Sequence, residues 1–270
     1  MKVAYQGEPG AYSEQAGYEY FDSPEMMPQK SFDDVFTNVS SGKCDSGLIP
    51  IENSLAGSIH LNYDLLLRHE LFIVGEFYLP VRHCLIGFPD AALSDIKRVI
   101  SHPQALGQCA DHLRELGVDT EPVYDTAGSV KILKSSSERT TAAIASKRAA
   151  EIYQMKVLQG SFEDNPENYT RFLEIKLKPV KPDSKAKTSI VFTLKNQPGA
   201  LYQALSVFAA GDIDLTKIES RPLVGKPWEY LFYMDFVTTQ GRESAQQSLD
   251  NLKEYTLMLR ILGTYPRFQA

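Results

Sequence analysis

Short apolar runs alternate along this chain with segments whose apolar residues recur at helical spacing. The runs Lys2–Tyr5, Gly47–Ile51, Arg98–Ser101, Pro122–Tyr124, Ala142–Ala145 and Phe172–Leu177 predict strands. Between them, Ala105, Leu106, Cys109, Ala110, Leu113 and Leu116 form one stripe of an amphipathic helix. Strands separated by such helices imply βαβ units and largely parallel sheets. The longer run Leu71–Phe88 is strand-like with charged breaks, so it can carry the chain from one sheet to another. The first part of the chain, residues 1–178, therefore reads as two α/β subdomains with a cleft.

The pattern changes after Lys176–Lys187, which holds five Lys, two Pro and no aromatic residue. Low apolar content and proline favour extended chain, and residues 179–187 are expected to be a linker. Beyond it, residues 188–270 predict a strand over Thr188–Lys195, a helix opened by Pro198-Gly199, strands at Leu215–Pro222 and Glu229–Val237, a helix over Arg242–Tyr255, and a strand at Leu257–Leu262. This βαββαβ order is ferredoxin-like. Its edge strands would stand open in a lone copy, which favours pairing with a second one.

A length of 270 residues fits two domains. With 28 Lys and Arg against 34 Asp and Glu, the net charge of −6 argues against a general nucleic-acid binder. The lysines near the linker, without interleaved aromatics, do not change that. No apolar run reaches the roughly 18 residues of a membrane span, and no secretory core follows Met1. Cys44, Cys84 and Cys109 are scattered without disulfide or zinc spacing. The expectation is a reduced, cytoplasmic protein.

Four segments share one grammar, in which a strand ends and small, hydroxyl or amide residues open a helix. They are Gln6–Ser13, Glu52–Ser58, Ser101–Gln104 and Asp125–Ser129. A helix N-terminus offers free N–H groups and partial positive charge, and ligands of open α/β sheets bind at such strand ends. One such segment alone is an ordinary cap; four together suggest a cleft for a small anion. There is no P-loop, and Gly7-x-x-Gly10 lacks the spacing of a dinucleotide fingerprint, so a carboxylate fits better than a nucleotide. Near the linker, Asn168-Tyr169-Thr170-Arg171-Phe172 sets a hydroxyl beside a guanidinium able to grip a carboxylate. The bland alternative is an edge-strand Thr-Arg pair. Cys109 and His112 share a helix without a third metal ligand, Ser54 and Ser101 have no identifiable His-Asp partners, and His60, His69 and His83 are expected to take no catalytic part.

Several motifs in order, Gly7-Glu8-Pro9-Gly10-Ala11-Tyr12-Ser13, Ile49-Pro50-Ile51-Glu52-Asn53-Ser54, Ser101-His102-Pro103-Gln104-Ala105-Leu106-Gly107-Gln108-Cys109 and Asn168-x-Thr170-Arg171-Phe172, closely resemble prephenate dehydratase over nearly the whole chain. Asn196-x-Pro198-Gly199-Ala200-Leu201-Tyr202 and Glu219-Ser220-Arg221-Pro222 are similar to the phenylalanine-binding motifs of that family's ACT domain. The resemblance implies a two-lobed catalytic region like a periplasmic binding protein, followed by an ACT regulatory domain, with no fused chorismate mutase region. It implies a hydro-lyase that converts prephenate to phenylpyruvate by decarboxylative dehydration, in phenylalanine biosynthesis and without a cofactor or metal.

By motif, Thr170 would be the catalytic residue, with Glu52, Asn53, Ser54, Ser101, Gln108, Arg171 and Phe172 binding substrate. Asn196, Gly199, Ala200, Leu201, Glu219 and Ser220 would bind L-phenylalanine as allosteric inhibitor, in a homodimer or homotetramer, Glu219 and Ser220 serving its polar end. Arg171 and the helix N-termini near Asn53 and Ser101 are expected to hold the carboxylate that stays. Thr170 would donate to the leaving oxygen, and Glu52 would supply the proton if burial raises its pKa. Two rival readings stay open: arogenate dehydratase, the same chemistry on an amino-bearing substrate, and a non-catalytic amino-acid sensor, which would have no need of the Thr170 motif.

Overall fold

The computed structural model describes residues 1–182, 186–223, 225–226, 228–237 and 242–268, with the backbone alone for 242–244. Residues 183–185 of the expected linker lie outside them, and a strand already begins at Ala186. The chain forms two compact units, one of Met1–His69 with Phe77–Glu174 and one of Glu70–Glu76 with Ile175–Ala270.

The first unit has two lobes, each built on a sheet. In the first lobe the strand order is Glu25–Gln29, Lys2–Gln6, Ser46–Asn53, Tyr169–Lys176, Phe72–Pro80. The first three are parallel. Val3, Ala4 and Tyr5 are fully buried on the central strand, as a strand covered on both faces requires. Helix Phe32–Ser40 starts at a capping box, where Ser31 and Asp34 satisfy each other's backbone N–H, and it buries Val35, Phe36 and Val39.

The second lobe orders its strands Lys156–Gln159, Cys84–Gly87, Thr141–Ala145, Arg98–Ser101, Asp119–Pro122. Its last three strands are mutually parallel, but the Cys84–Gly87 strand runs antiparallel to both neighbours, so the expectation of largely parallel sheets holds only in part here. The strand arrives from the other lobe without a crossover helix, so no βαβ connection dictates its direction. The expected strand at Pro122–Tyr124 lies earlier, at Asp119–Pro122, where every residue is exposed and an apolar pattern has nothing to mark. The long helix expected over the Ala105–Leu116 stripe is two short ones, Pro103–Gly107 and Ala110–Leu116, broken at Gln108-Cys109. Ala105, Cys109 and Leu113 still share one buried cluster.

The lobes meet on one side through glycine. Gly10 has φ +93°, and a Cβ there would come within 2.7 Å of the Ala149 backbone in helix Lys147–Tyr153. Ser146 caps that helix by accepting from Ala149 N–H and donates its own proton to the Gly10 carbonyl at 2.6 Å. The Glu14 carboxylate accepts from Gly10 N–H at 2.9 Å and from Arg148 Nε at 2.8 Å.

The second unit is a four-stranded antiparallel sheet in the order Asp214–Pro222, Tyr230–Val237, Ala186–Leu194, Thr256–Pro266, the ferredoxin-like arrangement. Helices Ala200–Ala210 and Arg242–Lys253 cover one face around Phe192, Phe208, Phe236 and Leu252. The segment Glu70–Glu76 joins this unit. Ile73 runs so close to Gly263 that any side chain there would collide with its backbone, and Glu76 forms a buried ion pair with Lys187 at 2.7 Å.

Gly10→Ala combines a disfavoured φ with a backbone clash. We expect it to lower stability by about 3 kcal/mol, read as a lowered thermal midpoint of the first unit.

Candidate active site

Asn53 ends the strand Ser46–Asn53, and its Oδ1 accepts from Leu55 N–H at 3.1 Å and Ala56 N–H at 2.9 Å. Two backbone donors fix the amide's orientation. Nδ2 therefore points at the incoming strand, to Asn168 Oδ1 at 2.7 Å, the Tyr169 carbonyl at 3.1 Å and Thr170 Oγ1 at 3.1 Å. Thr170 accepts from Asn53, which leaves its own hydroxyl proton for another acceptor.

From Asn53 the network crosses to the second lobe. Gln108, the C-cap of helix Pro103–Gly107, places Nε2 at 3.5 Å from Asn53 Oδ1 and Oε1 at 2.9 Å from His83 Nε2. His83 Nδ1 lies 2.8 Å from the Tyr12 hydroxyl, which returns to the first lobe, and its backbone N–H donates to Glu163 at 2.7 Å. His83 is buried, and desolvation lowers its pKa, so the neutral imidazole is favoured.

These groups line a cavity of about 380 Å³ between the lobes, within the range of small-ligand sites. Tyr12, Ser13, Pro50 and Asn53 face it from the first lobe, and His83, His102, Gln104, Gln108, Asp125 and Thr126 from the second, with Thr170 and Phe172 from strand Tyr169–Lys176 and Val81 from the loop after strand Phe72–Pro80. Helix Tyr12–Tyr20 points its N-terminus here, and no side chain caps it at Ala11. Among the described lining residues there is no Lys or Arg, and Asp125 is the sole carboxylate. Asp125 caps helix Thr126–Ser135 by accepting from Gly128 N–H, and burial raises its pKa. Among the described residues there is no cluster of three or more potential metal ligands.

Of the residues expected in the site, Asn53, Gln108, Thr170 and Phe172 come together at this cavity. The others do not line it. Ser101 is fully buried and donates to the Ile144 carbonyl at 2.7 Å, a structural bond beneath the site. Ser54 bonds the Glu167 carbonyl and Tyr169 N–H, pinning the strand that carries Thr170. Arg171 alternates to the strand face opposite Thr170 and Phe172, so the expected carboxylate grip is not made here. Glu52, half-buried, is likewise absent from the lining. The segment Glu52–Ser58 opens no helix; it is a turn into the short strand Gly57–Ser58, and helix His60–Arg68 follows later. His83, expected to take no part, sits in the network. Its position in the connection between two sheets was the available signal.

In the second unit, Gly199 has φ +79° at the N-cap of helix Ala200–Ala210, with open space where a side chain would stand. Asn196 is exposed, and Ala200 and Leu201 lie in the first turn of that helix. Ser220 pairs with Phe232, which packs under the helices, whereas Glu219 pairs with Tyr233 on the other face. Within one copy the two side chains therefore lie on opposite faces of the sheet.

A family model described as prephenate dehydratase matches residues 3–180. An Arabidopsis thaliana protein named arogenate dehydratase/prephenate dehydratase 2, chloroplastic, is 46% identical, spanning 98% of this chain and 73% of the relative. The solved structure of GqqA, described as a novel type of quorum quenching acylase, is 34% identical with TM-score 0.89, covering 98% of both chains. That of prephenate dehydratase from Arthrobacter aurescens in complex with L-Phe is 28% identical with TM-score 0.90, covering 99% of this chain and 90% of the other. The two-lobed, periplasmic-binding-protein-like fold is shared with such structures. The expected cytoplasmic location is overturned by the Arabidopsis relatives, which are named chloroplastic. Scattered free thiols indicate a reducing environment and cannot separate these compartments.

The unfolded chain takes up a proton on His83 near the ordinary value of about 6.5, while the buried ring resists it. Its contribution to stability is thus present above that pH and lost as pH falls. Melting curves at pH 7.5 and 5.5 should show a smaller acid-induced drop for His83→Gln than for the unaltered protein.

Proposed function

Because the chain belongs to the prephenate dehydratase family, we propose that it is a decarboxylating dehydratase that removes water and CO2 together from a prephenate-type ring, giving phenylpyruvate from prephenate and phenylalanine from its amino counterpart arogenate. The observation that carries this is the Thr170 hydroxyl, held as an acceptor by Asn53 with its proton free at the wall of a small-molecule cavity.

The carboxylate that stays is held by the uncapped N-terminus of helix Tyr12–Tyr20 and by Ser13, in place of the grip expected of Arg171. The departing carboxylate faces Val81 and Phe172, where weak solvation favours its loss as neutral CO2. Thr170 donates a hydrogen bond to the ring hydroxyl as it leaves. The C–O electron pair departs with oxygen, the C–C pair of the lost carboxylate enters the ring and completes its aromaticity, and the hydroxide takes a proton from the medium. A threonine hydroxyl is too weak an acid to supply that proton itself. An acyl-transfer route like that of the similar acylase has less support, since Thr170 Oγ1 is bonded to an amide rather than to a base.

Arogenate dehydration to phenylalanine is favoured by the names of the relatives at 43–46% identity. For either substrate, feedback by L-phenylalanine on the ferredoxin-like unit, acting as an ACT domain in a homodimer or homotetramer, is supported by the L-Phe complex of the similar structure and by the open Gly199 turn.

Thr170→Ala should lower kcat by on the order of 100-fold or more with little change in KM; an effect confined to KM would make Thr170 a binding residue. L-Phenylalanine should suppress turnover, and Gly199→Val should raise the concentration for half-inhibition at least about tenfold. Unchanged inhibition would remove Gly199 from the effector site.

A further inference from the structure

We propose that Asp125 is a specificity-determining residue that receives an α-ammonium group, so that the cavity favours the amino-bearing ring substrate, arogenate, over its keto counterpart, prephenate. This rests on the dehydratase reading and assigns a residue to the choice between its two substrates.

Glu14 is paired with Arg148 at 2.8 Å, Glu163 with Arg82 at 3.4 Å, and Asp164 with His112 at 2.9 Å. Glu8, at the rim, is met by Lys131 at 3.0 Å and by the Tyr124 hydroxyl at 3.2 Å. Asp125 lines the cavity itself, yet among the described residues no Lys or Arg pairs with it. Its carboxylate accepts from Gly128 N–H at Oδ1 and is also reached by the Ala127 N–H. Oδ2 is turned toward the first-lobe loop at Gly7, where it lies 3.8 Å from the position a Cβ would take. Oδ1 is thus spent on capping a helix, while Oδ2 stands at the edge of the cavity beside the Gly7 loop, which lines an adjoining groove with Glu8 and the exposed Lys30.

A carboxylate in this position acts oppositely on the two substrates. Prephenate brings two carboxylates and a ketone, so Asp125 adds only like-charge repulsion. Arogenate brings an ammonium with three donors in place of the ketone, and a charge-assisted hydrogen bond to Oδ2 offsets both the repulsion and the cost of burying the carboxylate. Burial pushes the Asp125 pKa upward, against the hydrogen bonds from Gly128 and Ala127 and the nearby His102, which act to lower it. Its neighbours in the lining, His102, Tyr124 and Gln6, can orient the ammonium but carry no fixed positive charge.

The test measures kcat/KM for prephenate and for arogenate with the full chain and with Asp125→Asn and Asp125→Ser. Asn and Ser are N-caps comparable to Asp, so both variants keep the helix start and either can be read if the other fails to fold. We expect the unaltered protein to favour arogenate, and the arogenate-to-prephenate ratio to fall at least tenfold in both variants. Equal losses on both substrates, with the ratio unchanged, would make Asp125 a helix cap only and overturn the proposal. So would an unaltered protein that turns over prephenate alone. Turnover of neither substrate by the folded, unaltered protein would instead overturn the dehydratase reading, and this assignment with it.

Discussion

The side-chain amide of Asn53 is the point on which the site's geometry depends. Its carbonyl accepts from two N–H groups of its own turn, so its NH2 group has one orientation, and that orientation decides which lone pair of Thr170 is occupied. The same carbonyl reaches Gln108, and through it His83 and Tyr12, so a local Asx turn in one lobe sets the polar order of the other. His83 Nε2 donates to the Gln108 amide oxygen, and burial favours the neutral imidazole in this chain of bonds.

The opposite side of the cleft is held by sterics and a few strong bonds. Gly10 allows backbone to lie against helix Lys147–Tyr153, and the Ser146 hydroxyl serves as helix cap and inter-lobe bond at once. The lobes are thus joined there and bridged again through Gln108 on the side of Asn53 and His83.

Much of this was legible in sequence. Alternation of strands and helices indicated the two lobes, the βαββαβ order indicated the small unit, and the motifs pointed to Asn53, Gln108, Thr170 and Phe172. What was not legible depends on direction and on partners distant in the chain. Arg171 is adjacent to Thr170 in sequence, but one step along a strand reverses the side chain, and the same rule separates Glu219 from Ser220. Ser101 and Ser54 have the right chemistry for binding, yet each is occupied by a backbone group contributed from far along the chain. His83 gave no periodic signal, because it lies in the connection between two sheets. Asp125 looked like an ordinary cap, which it is; its second role appears only once the cavity around it is visible.

The ferredoxin-like unit is not contiguous in sequence. Glu70–Glu76, lying between the lobes' own segments, contributes Ile73 against Gly263 and Glu76 against Lys187, and the backbone N–H of Phe268 closes on the same carboxylate at 3.1 Å. The unit is therefore no detachable cassette: cut at the linker and moved to another protein, it would leave behind one piece of its own sheet packing and a buried lysine's counter-ion. Exchange of this unit among proteins by simple fusion is constrained by seven residues that travel with the other part of the chain.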